Sequence, residues 1–295
     1  MIYEVTHRTT YAYVEHAAFS QHLLRLTPRE TDLQRVLESR VALDPRPDAI
    51  APERDLFGNL AHVATVSRPH DALEIVATSR VALSEPSSFI FEAGASVAEV
   101  RAMALGEGRR PVTEAAPFAL PSAMTGADEA IEAYARDSLR DDRPLLAAAA
   151  ELTSRIHADF DYVPGSTAAD TLPAASFEGR RGVCQDFAHV MLACLRAFRL
   201  PARYVSGYLR TIPPAGEKRL EGADASHAWV AVWDPVFSWV DFDPTNDLVP
   251  GTDHVTLAWG RDYRDVSPVS GLVLGAGGQS LAVGVDVKPV AQDEA

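Results

Sequence analysis

Apolar and polar positions alternate from the start of the chain. Tyr3, Val5, His7, Thr9, Tyr11 and Tyr13 share one parity, which lines one face of an extended strand with aromatic and β-branched side chains. Short segments of the same character follow near residues 19–27, 34–43, 60–67 and 72–83. Pro28, Pro45, Pro47, Pro52 and Pro69 sit between or beside them, and Gly58-Asn59 marks a turn between Phe57 and Leu60. Residues 1–84 therefore predict an antiparallel β domain. Pro86, Pro111, Pro117 and Pro121 interrupt residues 85–125, which predict a connector with short helical pieces.

The period then changes. Asp128 is a candidate N-cap for a helix over 128–140, and Pro144 opens an Ala- and Leu-rich helix over 144–158. Residues 159–181 read as loop, with Pro164-Gly165 as a turn. In 184–198, Phe187, Val190, Met191, Cys194, Leu195 and Phe198 form one helical stripe, and Pro201 stops the helix. Strands are expected at 202–209, 226–233 and 237–242, the last two joined by a turn at Asp234-Pro235. Residues 251–290 are β-like and Gly-rich. The expected class is α+β: a β domain (1–84), a connector (85–125), and a core (126–290) of helices packed on an antiparallel sheet with a β-rich tail.

Composition narrows the function. The 295 residues suffice for about two domains. Apolar residues make up 47% and charged residues 23%, so a globular core is expected rather than disorder. Only 2 Cys exclude a disulfide scaffold. The net charge of −14 disfavours nucleic acid and anionic lipid as partners. No apolar run is long enough to span a membrane and the start shows no signal-peptide pattern, so a cytoplasmic location is expected. No CxxC or HxxxH pair completes a zinc site, and neither metal nor cofactor is expected.

The candidate chemistry lies in three segments. Cys184 follows Arg181-Gly182-Val183 and opens the predicted helix, where free N–H groups and the macrodipole favour a thiolate. Cys194 lies on the apolar stripe of the same helix, about 15 Å away along its axis, too far for a disulfide. His227 stands in Ser226-His227-Ala228-Trp229-Val230, and Asp243 in Asp241-Phe242-Asp243-Pro244-Thr245. Neighbouring antiparallel strands would bring these together as base and orienter for the thiol. The same residues also fit a structural thiol, a cross-strand histidine and a turn aspartate. Asp241 shares the parity of Asp243 and is the rival orienter. His7, His22 and His62 lie in separate segments without a thiol or carboxylate cluster, so no chemistry is expected of the β domain.

The stretch Gly182-Val183-Cys184-Gln185-Asp186-Phe187-Ala188-His189, with Ser226-His227-Ala228-Trp229-Val230 and Asp243-Pro244-Thr245, resembles the transglutaminase-like core of the papain-like thiol superfamily. The opening 7–13, Leu26-Thr27-Pro28-Arg29, Asp55-Leu56-Phe57-Gly58-Asn59, residues 162–167 and residues 260–266 resemble the bacterial transglutaminase-like proteins that carry a β-rich N-terminal domain. The resemblance implies Cys184 as nucleophile, His227 as base and Asp243, in the DPT motif, as orienter. The Cys184 N–H would stabilise an oxyanion, with Gln185 and Tyr162 as candidate second donors. It implies acyl transfer from amide bonds of a peptide or protein, including a small peptide amide, through a thioester. Hydrolysis is the first expectation. Protein-glutamine cross-linking and a non-enzymatic interaction module are the alternatives.

Overall fold

The computed structural model describes residues 1–86, 90–107, 112, 114–211 and 225–290. The first 84 residues form β1 (Ile2–Ala17), β2 (Phe19–Leu24), β3 (Gln34–Asp44), β4 (Ala49–Arg54), β5 (Leu60–Val66) and β6 (His70–Leu83). The alternation in β1 is realised, for Tyr3, Val5, His7, Thr9, Tyr11 and Tyr13 are all buried. β4 was not anticipated, because Pro52 and six exposed residues hide it. It is an edge strand paired only with β5 among the described residues, where a proline is tolerated.

The connector holds α1 (Val97–Leu105), capped by Ser96 and Glu99 in a reciprocal capping box. Pro111 lies outside the described residues. The core then runs through α2 (Glu129–Arg136), α3 (Leu145–Asp159), β7 (Asp161–Tyr162), α4 (Pro173–Gly179), β8 (Arg181–Gly182) and α5 (Cys184–Ala197). It continues with β9 (Ala202–Leu209), β10 (Ala225–Asp234), β11 (Ser238–Phe242), β12 (His254–Gly260) and α6 (Tyr263–Val266). The chain ends in β13 (Val269–Leu274) and β14 (Gln279–Pro289). Asp128 caps α2 as expected, accepting from the N–H groups of Ala130 and Ile131 at 3.0 and 2.9 Å. The segment expected to be loop contains α4, a helix opened by Pro173 and too short to show a period.

Two four-stranded sheets, in the orders β14-β1-β6-β3 and β13-β2-β5-β4, form a sandwich. Tyr11, Tyr13, Leu24, Ala64, Val66, Leu73 and Ile75 from both sheets fill its interior. The tail corrects the expected domain division. β13 pairs with β2, and β14 pairs with β1 over eleven residues, so the end of the chain completes the N-terminal sandwich instead of extending the core. β1 serves both units: Tyr3 and Val5 pack in the cluster that surrounds α5, while Tyr11 and Tyr13 pack in the sandwich.

The core sheet has the order β11-β10-β9-β12. α5 packs on β9 and β10 and is flanked by α2, α3 and α4. Every residue from Asp186 to Arg196 is consequently buried, where the apolar stripe predicted one buried face. Arg196 is tolerated there because its guanidinium donates to the carbonyls of Phe118, Ala202 and Arg261 and to Thr125. The free edge of β12 is covered by side-chain amides of the sandwich. Gln34 exchanges hydrogen bonds with the Thr256 backbone at 2.7 and 2.8 Å, and Asn59 with the Trp259 backbone at 2.8 and 3.0 Å.

Candidate active site

The run Gly182-Val183-Cys184-Gln185-Asp186 turns the chain from β8 into α5. A Cβ on Gly182 would lie 2.6 Å from the Asp186 side chain, so this position requires glycine. Asp186 reaches back to accept from the Val183 N–H at 2.8 Å. It also accepts from the hydroxyls of Thr167 and Ser176, at 2.6 and 2.9 Å, which ties the preceding loop and α4 to the start of α5. The thiol of Cys184, the first residue of α5, is thereby held half-buried at the helix N-terminus.

His227 lies near the start of β10, and Asp243 just beyond β11. Pairing of Val230 with Phe242 sets the two strands in register and brings these residues together. His227 Nε2 stands 2.7 Å from Asp243 Oδ2. The Cys184 thiol neighbours the imidazole closely enough to favour its charged form. Burial by itself would lower the His227 pKa, but Asp243 and Cys184 outweigh it and raise it to about 9.

Asp243 is fully buried and held by several donors. Oδ2 receives His227, His254 Nε2 at 3.1 Å and Asn246 Nδ2 at 2.7 Å. Oδ1 receives the N–H groups of Thr245 and Asn246 at 2.9 and 3.3 Å. Burial opposes ionisation of Asp243, yet these hydrogen bonds hold its carboxyl well below the usual carboxylate range. Asp241 faces different surroundings. It accepts from the Trp229 indole N–H at 3.0 Å, and burial raises its pKa. The structure thus joins Cys184, His227 and Asp243 and leaves Asp241 outside the constellation.

His254 and Asn246 were missed by sequence reasoning. His254 comes from β12, separated from β10 by β9, and no motif marks it. Asn246 carried a weak signal, three residues after Asp243 in a turn whose N–H groups fold back on the carboxylate. The ligand atoms of His227, Asp243 and His254 lie within 4.8 Å of one another, the one cluster among the described residues with donors for a metal. They already satisfy one another as hydrogen-bond partners. Of the two candidate second oxyanion donors, Gln185 is engaged with the Ala169 carbonyl at 2.9 Å. Tyr162 is half exposed, and its pKa is raised by partial burial and by the neighbouring Cys184. Cys194 is fully buried, which pushes its thiol up to about 12.

Fold and site together define a papain-like thiol architecture with an added β sandwich. The chain belongs to the transglutaminase-like superfamily: residues 132–244 match that superfamily and residues 3–82 match the bacterial transglutaminase-like N-terminal region. An uncharacterized protein of Mycobacterium tuberculosis is 38% identical over 99% of this chain and 94% of its own length. One from Mycobacterium leprae is 32% identical over 97% of this chain and 98% of its own. A protein-glutamine gamma-glutamyltransferase of Pseudomonas aeruginosa is 36% identical over 52% of this chain and 23% of its own. A crystal structure of a candidate cysteine protease from Cytophaga hutchinsonii shares the fold with a TM-score of 0.74. It is 21% identical and covers 99% of this chain and 92% of that one. No helix among the described residues is long and apolar enough to cross a membrane.

Proposed function

We propose that the protein hydrolyses amide bonds of a peptide or protein through a thioester on Cys184. The observation that carries this reading is His227, hydrogen-bonded to a buried, ionised Asp243 at 2.7 Å and neighbouring the Cys184 thiol. The Cys184 thiolate attacks the carbonyl carbon, and the C–N bond breaks as the His227 imidazolium gives its proton to the leaving nitrogen. Water, losing a proton to His227, then attacks the thioester. The C–S bond breaks, and the acid and the thiolate are released. The Cys184 N–H at the start of α5 faces the developing oxyanion, with the Tyr162 hydroxyl as the second donor.

Transfer of the acyl group to a primary amine is the second reading, favoured by the likeness to the Pseudomonas aeruginosa enzyme. The two diverge only at the thioester, where water or an amine attacks. Incubation with a library of peptide amides, with and without a primary amine, separates them. Acid product in both samples supports hydrolysis, and amine incorporation at the expense of acid supports transfer. No turnover in either, with Cys184 alkylated by iodoacetamide as the control, would leave a binding role for the retained triad.

A further inference from the structure

The core sheet has a second face, opposite α5. Val205, Trp229 and Ala231 project there into a small cluster of their own, beside Trp239 and Trp259. The sandwich covers this face only in part. A cleft of about 1090 Å³ remains between them, lined by Leu33 and Phe57 on the sandwich side and by Arg203, Trp239 and Trp259 on the sheet side. His254 also reaches it, whereas Cys184 is not among its lining residues.

Arg203 is the unusual member. It is 9% exposed, and its guanidinium carbon lies 3.6 Å from the Trp259 ring centroid and 4.3 Å from that of Trp239. Its Nε is buried without a partner, and no hydrogen bond or ion pair of this guanidinium is found among the described residues. Asp241 and Glu114 act on Arg203 through their charge but hydrogen-bond to other groups, and Glu30 and Asp32 also line the cleft. Asp241 takes the Trp229 indole at 3.0 Å, Glu114 takes the Trp233 indole at 3.2 Å, and Arg261 binds both oxygens of Asp265 at 2.9 and 3.1 Å. Burial lowers the Arg203 pKa to about 9, only partly opposed by Asp241.

A planar fork of donors that lies against two indoles, its Nε without an acceptor among the described residues, matches a carboxylate in geometry and charge. The aromatic walls suit an apolar body attached to that carboxylate. The volume slightly exceeds the range of about 300–1,000 Å³ usual for small-molecule pockets, which leaves room for a short peptide. We propose that this cleft is a peptide-binding site, separate from the thiol centre, in which Arg203 holds a carboxylate of the peptide between Trp239 and Trp259. The carboxylate belongs to the peptide C-terminus or to an acidic side chain. The proposal stands whether or not the triad proves hydrolytic.

Calorimetry on the full chain tests it with three probes: glycyl-phenylalanine, its C-terminal amide, and acetyl-glutamyl-phenylalanine amide. At least one carboxylate-bearing probe should bind about tenfold or more tighter than the dipeptide amide. Preference for the first names the C-terminus, and preference for the third names an acidic side chain. Arg203→Gln should remove the difference, with its fold checked by circular dichroism. Arg203→Lys, which keeps the charge but not the fork, should weaken the difference and serves if the glutamine variant does not fold. Binding should persist in Cys184→Ala. The proposal fails if the three probes bind alike or none binds at millimolar concentration, if Arg203→Gln keeps the discrimination, or if Cys184→Ala abolishes it.

Discussion

One helix carries the protein's two thiols in opposite surroundings. Cys184 opens α5, half-buried, against a His227 that Asp243 holds charged. Cys194 lies near the other end, fully enclosed by the core, its thiol pushed up to about 12. Residue type and helix are the same, so the contrast comes from position. The first turn of a helix leaves N–H groups free to support an anion. Around Cys194 complete burial penalises one, and the charges of Arg155 and Arg180 offset this only in part. Gly182 and Asp186 sharpen the difference, since they set the loop tightly beside the first turn and leave Cys184 at its mouth.

The largest expected effect separates the two thiols directly. Cys184→Ala should reduce turnover by at least on the order of 10⁴-fold with the fold intact. Cys194→Ala should leave turnover within about threefold and cost about 1 kcal/mol of stability. Steady-state rates and denaturant melts check both, and equal losses of activity would erase the contrast. Next in size is chemical reactivity. Limiting iodoacetamide followed by peptide mass mapping should label Cys184 over Cys194 by at least on the order of 100-fold. Preferential labelling of Cys194 would remove Cys184 from the nucleophile position.

A smaller effect tests the partner that sets Cys184 apart. Asp243→Asn should slow turnover by about 10–100-fold, because an amide still orients the imidazole but no longer stabilises its charge. Asp241→Asn should change it by less than about threefold, since Asp241 bonds Trp229 instead. The reverse order, with both variants folded, would make Asp241 the orienter.

The smallest effect is in pH. The folded His227 pKa is raised, so the stabilising contribution of this group is complete below its ordinary value near 6.5 and is lost as pH rises through about 9. Turnover that needs the imidazolium should fall over the same interval. In Asp243→Asn that fall should move to lower pH. Rate profiles of the two proteins, compared with urea melts across the same range, check the shift. An unmoved limb would mean that another group sets it.

Parts of this site were legible because their cause is local. Cys184 after a glycine at a helix start, His227 in a strand and Asp243 before a proline are properties of short segments. Strand parity did not separate Asp243 from Asp241, and only the DPT motif favoured Asp243. In the fold the two are held apart by Trp229, whose indole claims Asp241, and by the turn at 245–246, whose N–H groups claim Asp243. His254 was invisible for a stronger reason. It reaches Asp243 only because β12 joins the sheet beside β9, which no pattern within β12 announces.

Taken alone, the order of residues determined what each segment could become. The parity of β1, the apolar stripe of α5, the Asp128 cap and the glycine before Cys184 all act within a few residues, through sterics and side-chain periodicity. Tertiary structure alone decided which segments meet. Backbone hydrogen bonds are the same for any strand, so the attachment of β13 and β14 to the sandwich rests on long-range packing that the sequence of the tail does not display. The same holds for the burial of α5 on every side and for Arg203 against two indoles. Each depends on surfaces brought from distant parts of the chain, and a residue's surroundings exist only once those surfaces have closed around it.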